Sequence, residues 1–114
     1  MPNKQIARAT FEELKLVSGA DFIGELVDTF LEDGPKLMGE LKAALKKGDA
    51  ETFRRAAHSL KSNGATFGAG RLAELARELE MIGKEGRLAE TGDRIQTLEQ
   101  TFALVAEELK GLRA

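Results

Sequence analysis

The chain has no cysteine, no tryptophan and no tyrosine, and only one histidine and two prolines among its 114 residues. Without cysteine there is no disulfide framework, no thiolate metal site and no cysteine nucleophile. A single histidine with no cysteine also makes a transition-metal site an unpromising reading. Aromatic residues make up 5% of the chain. No stretch alternates with period two for long enough to make a strand, so no sheet is expected. No apolar run approaches the roughly 18 residues of a membrane span. The opening Met1-Pro2-Asn3-Lys4 does not begin a signal peptide. Charge of either sign is not in excess: 17 basic residues face 19 acidic ones, a formal −2. That is too close to neutral for a nucleic-acid binder working by bulk charge. These absences leave a soluble, cytoplasmic, single-domain protein without a membrane segment.

What is present leans helical. Charged residues are 32% of the chain and apolar ones 42%. Ala, Leu, Glu, Lys and Arg dominate, which is the bias of long helices. Residues 1–9 read as a loose leader and 10–114 as the folded domain. Thr10 and Glu13 form a T-x-x-E capping box that opens a short helix through about Val17. Ser18-Gly19-Ala20 breaks it, and Ser18 with Asp21 can cap the next helix.

From there the apolar phase sets the reading. Ile23, Val27, Phe30, Gly34, Leu37, Leu41 and Leu45 keep one phase through Gly34-Pro35. A new helix would rarely restart in phase, so 21–47 reads as one helix kinked near Pro35, against the alternative of two helices and a turn. Gly48 ends it and Asp49 caps the next. Phe53, Ala57, Leu60, Gly64 and Phe67 form a narrow stripe, broken by Gly68-Ala69-Gly70. Leu72, Leu75, Leu79 and Ile82 make another, ended by Gly83. Leu88, Thr91, Ile95, Leu98, Phe102, Val105, Leu109 and Leu112 carry the last. Four long amphipathic helices with short links predict an all-α, antiparallel up-down four-helix bundle, with the short first helix capping one end.

His58 is the one side chain with evident chemistry. With the Phe53/Phe67 stripe at about 0°, it lies roughly 140° away, on the solvent face. On the same scale Arg54 falls near about 100°, Lys61 near about 80°, Ala65 near about 120° and Ser62 near about 180°. A cation thus stands one turn before the ring and another one turn after, and the other neighbours are small. Flanking cations disfavour the imidazolium and keep the ring nucleophilic. The same cations would stabilise a phosphoryl group carried by the ring. On spacing alone, the face reads equally well as solvated surface that happens to hold a histidine. The G-x-G-x-x-A run at Gly68–Ala73 has no preceding strand and is not read as a dinucleotide site. There is no P-loop and no tight acidic cluster suited to Mg²⁺.

The segment Ala57-His58-Ser59-Leu60-Lys61-Ser62-Asn63-Gly64-Ala65-Thr66-Phe67-Gly68 resembles the phosphorylation motif of histidine-containing phosphotransfer (HPt) domains, roughly A-H-x-L-K-[GS]-[SA]-x-x-x-[LVF]-G. Phe30–Pro35 is similar to the family's F-L-x-D-x-P segment, Leu41–Asp49 to L-x-x-A-L-x-x-G-D, and Leu72–Glu80 to the helix that follows. The resemblance implies that His58 accepts a phosphoryl group through Nε2 and that Lys61 stands beside that group. It implies that Ser62, where glycine is common, keeps the approach to the ring open, and that Gly68 ends the helix. Glu80 falls where some members carry a polar residue able to hydrogen-bond the histidine ring. Arg54 and Ala65 complete the expected docking surface. Gly64 departs from the pattern in mid-helix, at a cost of about 1 kcal/mol against alanine. It could bring the neighbouring helix close or loosen the helix beyond His58.

By this resemblance the chain is a phosphorelay intermediate of a two-component system. It would take a phosphoryl group from a receiver-domain aspartate or a histidine kinase and pass it to a response-regulator aspartate. Its partners would be receiver domains and a sensor or hybrid histidine kinase, the chain itself being a monomer. It would bind no cofactor, the Mg²⁺ belonging to the partner receiver, and without an ATP site it would have no kinase activity of its own. Two alternatives stand beside this. One is a helical adaptor that binds a receiver without phosphoryl turnover. The other is a detached phosphoacceptor domain of a chemotaxis-type kinase, against which the ending at Leu109–Ala114, with no linker, weighs mildly.

Overall fold

The computed structural model describes residues 5–113. Five α-helices follow one another: α1 (Arg8–Ser18), α2 (Ala20–Lys47), α3 (Ala50–Thr66), α4 (Gly70–Lys84) and α5 (Arg94–Arg113), with a 3₁₀ turn at Leu88–Glu90 before the last. There is no strand among the described residues, as the composition predicts. Extensive contacts join α2 to α3 and α5, and α4 to α3 and α5. The core lies between them and is built from Val27, Leu41, Phe53, Ala57, Leu60, Leu72, Leu79, Leu98 and Val105 among others, all fully or almost fully buried.

α2 passes through Gly34 and Pro35 without interruption. Pro35 removes one backbone donor from the ladder. What keeps this stretch helical is packing. Phe30 meets Phe67 edge-on with ring centroids 5.2 Å apart, and stacks on Phe102 at 5.2 Å. A Cβ at Gly34 would run into the Phe102 ring. The glycine therefore admits the aromatic cluster, and the packing of buried Phe30 and Phe67 with half-buried Phe102 outweighs the helix-breaking pair. Beyond Pro35 the buried face is carried by Met38, Leu41 and Ala44, while Leu37 and Leu45 are half-buried.

Several expected boundaries move. The T-x-x-E box does not cap α1: the helix starts at Arg8 on Ala7, with no side-chain cap, and Thr10 lies inside it. Tertiary contacts replace the cap, since the Ala7 amide donates to Gly68 O at 2.8 Å. Of the leader expected over 1–9, residues 1–4 lie outside the described residues. The part that follows is not loose: Glu108 accepts from the Gln5 and Ile6 amides at 2.7 and 3.2 Å, and Ile6 is buried. Neither Ser18 nor Asp21 caps α2, whose N-cap is Gly19 at φ 91° with no side-chain bond. α4 continues past Gly83 to Lys84. Leu88 and Thr91 are in phase with α5 but precede it. Thr91 is buried, its hydroxyl donating to Leu88 O at 2.8 Å.

The α2–α3 corner follows the sequence closely. Gly48 takes φ 73°, and the amides of Gly48 and Asp49 return to the Leu45 and Ala44 carbonyls at 3.2 and 2.9 Å. Asp49 then accepts from the Thr52 amide at 3.1 Å and the Thr52 hydroxyl at 2.7 Å. The Thr52 hydroxyl first, then its amide, hold the Asp49 carboxyl below its ordinary range. A depressed folded pKa gives stability that is present above the unfolded value and lost as pH falls through the folded one. Asp49→Ala should therefore lower the melting temperature at neutral pH, and the gap from the parent should close in acid. Melting curves of both proteins across that range check this; a gap that widens in acid would show the cap works otherwise.

Candidate functional site

The site is built on the outward face of α3 and one turn of α4. Phe53, Ala56, Ala57, Leu60 and Gly64 hold α3 against the core. His58 therefore points away from the core, its side chain 54% exposed. Lys61 is on the same helix one turn further on.

The third member comes from α4. Glu80 Oε2 lies 2.8 Å from His58 Nδ1, and Glu80 Oε1 lies 2.8 Å from Lys61 Nζ. The Glu80 side chain is only 16% exposed, so one carboxylate bridges both residues from beneath. No hydrogen bond of good geometry reaches Oε1 among the described residues, and Lys61 compensates it as an ion pair. Burial alone would push the Glu80 carboxyl up. The Lys61 and His58 contacts outweigh it and hold the carboxyl below its usual range. An ionised carboxylate only accepts, so Nδ1–H donates a hydrogen bond to it and the lone pair of the neutral ring is left on Nε2. No partner for Nε2 is found among the described residues.

What brings Glu80 to His58 is the closeness of α3 and α4. A Cβ at Gly83 would stand 2.9 Å from Arg54 N and 3.0 Å from Arg54 Cα. A Cβ at Gly64 would stand 3.3 Å from Ala73 N. Glycine thus lets backbone meet backbone on both sides of the site. Of the two outcomes considered for Gly64, close approach is the one found, and α3 stays helical beyond it to Thr66.

Arg54 is turned toward its own helix. Its guanidinium grips Glu51 through Nε at 3.1 Å and through a terminal nitrogen at 2.6 Å. Glu51 chiefly, and more weakly the field of Glu80, stabilise the charged guanidinium. The two cations expected to flank His58 are thus a Lys61 shared with Glu80 and an Arg54 shared with Glu51. Ser62 and Ala65 are exposed one and two turns beyond His58. The structure brings His58, Lys61 and Glu80 together and leaves Arg54, Ser62 and Ala65 around them. Sequence reasoning took Gly83 only as the end of its helix and missed its role in the close approach; the signal was a glycine three residues after Glu80, on the buried side of α4.

No group of three or more His, Cys, Asp or Glu placed to hold a metal occurs among the described residues. No helix among them is long and apolar enough to cross a membrane.

The chain is similar to known proteins. The phosphorelay protein LuxU of Vibrio harveyi is 33% identical over 81 residues, 71% of this chain and 71% of that protein. The crystal structure of histidine-containing phosphotransfer protein B (HptB) from Pseudomonas aeruginosa PAO1 superposes with a TM-score of 0.89 at 32% identity, covering 97% of this chain and 96% of that one. The sequence pattern of the Hpt domain matches residues 25–114, from early in α2 to the end of the chain. With the match running through every helix that builds the site, the chain belongs to the Hpt domain family.

Proposed function

We propose that this protein is a phosphorelay intermediate in which His58 Nε2 takes a phosphoryl group from a receiver-domain aspartate or a histidine kinase and gives it to the aspartate of a response regulator. The observation that carries this is the half-exposed ring of His58, held through Nδ1 by Glu80 and with no partner for Nε2 among the described residues. A fixed tautomer presents the lone pair without a search among ring orientations. Lys61 supplies positive charge beside the arriving group. The partner supplies the acidic pocket and its Mg²⁺, so this chain needs no cofactor. Arg54, Ser62 and Ala65 form the rim on which a receiver docks.

We read α2 to α5 as an antiparallel up-down four-helix bundle that works as a monomer, with α1 closing one end. The ring of contacts α2–α3–α4–α5 and the short links Gly48-Asp49 and Phe67-Gly68-Ala69 support this. A relay charged from ATP operates in the cytoplasm.

The test is incubation with phosphorylated receiver domains, followed by mapping of the label. Acid-labile, base-stable phosphate on His58 is expected. Tight receiver binding with no label on the histidine would instead make the protein an adaptor. Lys61→Ala should slow transfer about tenfold, the worth of one charge-assisted contact. It should also lower the melting temperature slightly, because Glu80 Oε1 loses its counter-charge. Arg54→Ala should act in the same direction but less, since Glu51 already holds that guanidinium. Stopped-time phosphotransfer assays measure both, and parent-like rates in both variants would end the local-field role.

A further inference from the structure

The contact between Glu80 and Nδ1 has a consequence for the phosphorylated ring. An imidazole substituted at Nε2 keeps a proton on Nδ1 only as a cation. That cation is the reactive donor, because the ring then leaves as neutral imidazole. After loss of the proton, transfer would have to expel an imidazolide anion or await reprotonation. The group facing Nδ1 therefore decides how ready the phosphohistidine is to react. Here that group is a largely buried carboxylate at 2.8 Å.

We propose that Glu80 is the proton-holding residue of the relay, keeping the proton on His58 Nδ1 through both transfer steps so that phospho-His58 is a ready donor and not a store. This rests on the relay reading above. In the first step the Nε2 lone pair attacks phosphorus, the N–P bond forms and the P–O bond to the donor aspartate breaks, its electron pair leaving with the carboxylate. The ring becomes cationic, with Nδ1–H still donating to Glu80. In the second step a carboxylate oxygen of the next receiver attacks phosphorus. The N–P bond breaks, its pair returns to Nε2 and the ring is neutral again with the same proton on Nδ1. No proton enters or leaves in either direction.

The charged surroundings are consistent with this. On α3, Lys61 and Arg54 oppose a cationic ring. Lys61, however, is held by Glu80 Oε1, and Arg54 by Glu51. On α4, Arg77 precedes Glu80 by three residues and is engaged by Glu74 at 2.9 Å, while Lys84 follows one turn later. Glu80 is the group that touches Nδ1. Once a phosphoryl group with roughly two negative charges sits on Nε2, Lys61 can turn to it and leave Glu80 wholly to the Nδ1 proton.

The experiment charges the full chain with phosphoramidate, a small phosphoryl donor, and follows the ring nitrogens by ¹⁵N NMR and the phosphoryl group by ³¹P NMR. In the parent, Nδ1 of phospho-His58 should stay protonated to about pH 8, where a free phosphoimidazole has lost that proton. In Glu80→Gln the amide oxygen still accepts from the neutral ring, so orientation survives while the negative charge is gone. The variant should hold its phosphoryl group about tenfold longer at that pH and regain the parent's lability about one unit lower. An unprotonated Nδ1 in the phosphorylated parent overturns the proposal whatever the variant does. Equal lifetimes and equal pH profiles in the two proteins overturn it as well. Failure of the parent to take phosphate on His58 would instead remove the relay reading itself.

Discussion

His58→Gln should abolish phosphoryl acceptance and shift the melting temperature by less than about 4 °C. The two halves of this result have separate causes. Chemically, glutamine has no ring nitrogen, and the chain holds no second histidine to take its place. Structurally, the side chain is 54% exposed and, among the described residues, its polar partner is Glu80. Losing it removes a half-exposed polar contact, a class of interaction worth about 1 kcal/mol or less. Glu80 is not stranded, because Lys61 still neutralises it at 2.8 Å. Glutamine also has good helix propensity, so α3 should not fray. Docking of a receiver domain should persist, since Arg54, Ser62 and Ala65 are untouched. The measurement pairs thermal melting with transfer from a phosphorylated receiver. Retained phosphorylation, or a collapse in melting temperature, would take His58 out of its assigned role.

The contrast between His58 and Glu80 shows what a sequence makes legible. His58 and Lys61 lie on one helix, and the period of that helix alone puts them on one outward face. The stripe Phe53, Ala57, Leu60, Gly64 and Phe67 is buried throughout, so the angle assigned to His58 holds. Glu80 is 22 residues away on another helix. Its contact with the ring depends on the register of α4 against α3, which no period within either helix encodes. The family resemblance pointed to the position; the distance came only from the packed structure. The same division separates the helix boundaries that were legible from those that were not. The Gly48-Asp49 corner is local chemistry, a left-handed glycine followed by a capping carboxylate, and it is found as read. The start of α1 is not local. A capping box at Thr10 and Glu13 loses to Ala7, whose amide is claimed by Gly68 O from the far side of α3. Likewise Leu88 and Thr91 share the phase of α5, yet Gly92, at φ 53°, stands between them and the helix.

That register suggests where a substitution remote from the histidine would do most harm. Gly83→Leu should lower the melting temperature by on the order of 10 °C and detach Glu80 from His58. Gly83 is buried where α4 crosses α3, and the atoms that a Cβ would meet at 2.9 and 3.0 Å are the backbone nitrogen and Cα of Arg54. A flexible side chain could swing aside, but backbone cannot, so the helices must part. Overpacking of this kind costs about 1–3 kcal/mol, and leucine at a backbone crossing belongs at the upper end. Exchanging glycine for leucine regains somewhat under about 1 kcal/mol of helix propensity, which does not offset it. Glu80 is three residues before Gly83, on the turn that would be pushed out. Its carboxylate lies 2.8 Å from Nδ1, and a displacement of about 1 Å carries it beyond hydrogen-bond distance. Gly39→Leu is the matched control. That glycine is also within a helix, but apart from its chain neighbours and the backbone of its own helix nothing lies within 4 Å of its Cβ position. It should melt at or slightly above the parent temperature. Thermal melting combined with the ¹⁵N signature of the His58 tautomer reads both effects. If Gly83→Leu melts like the Gly39 control and keeps the Nδ1–H tautomer, the closeness of α3 and α4 is not what holds the site together.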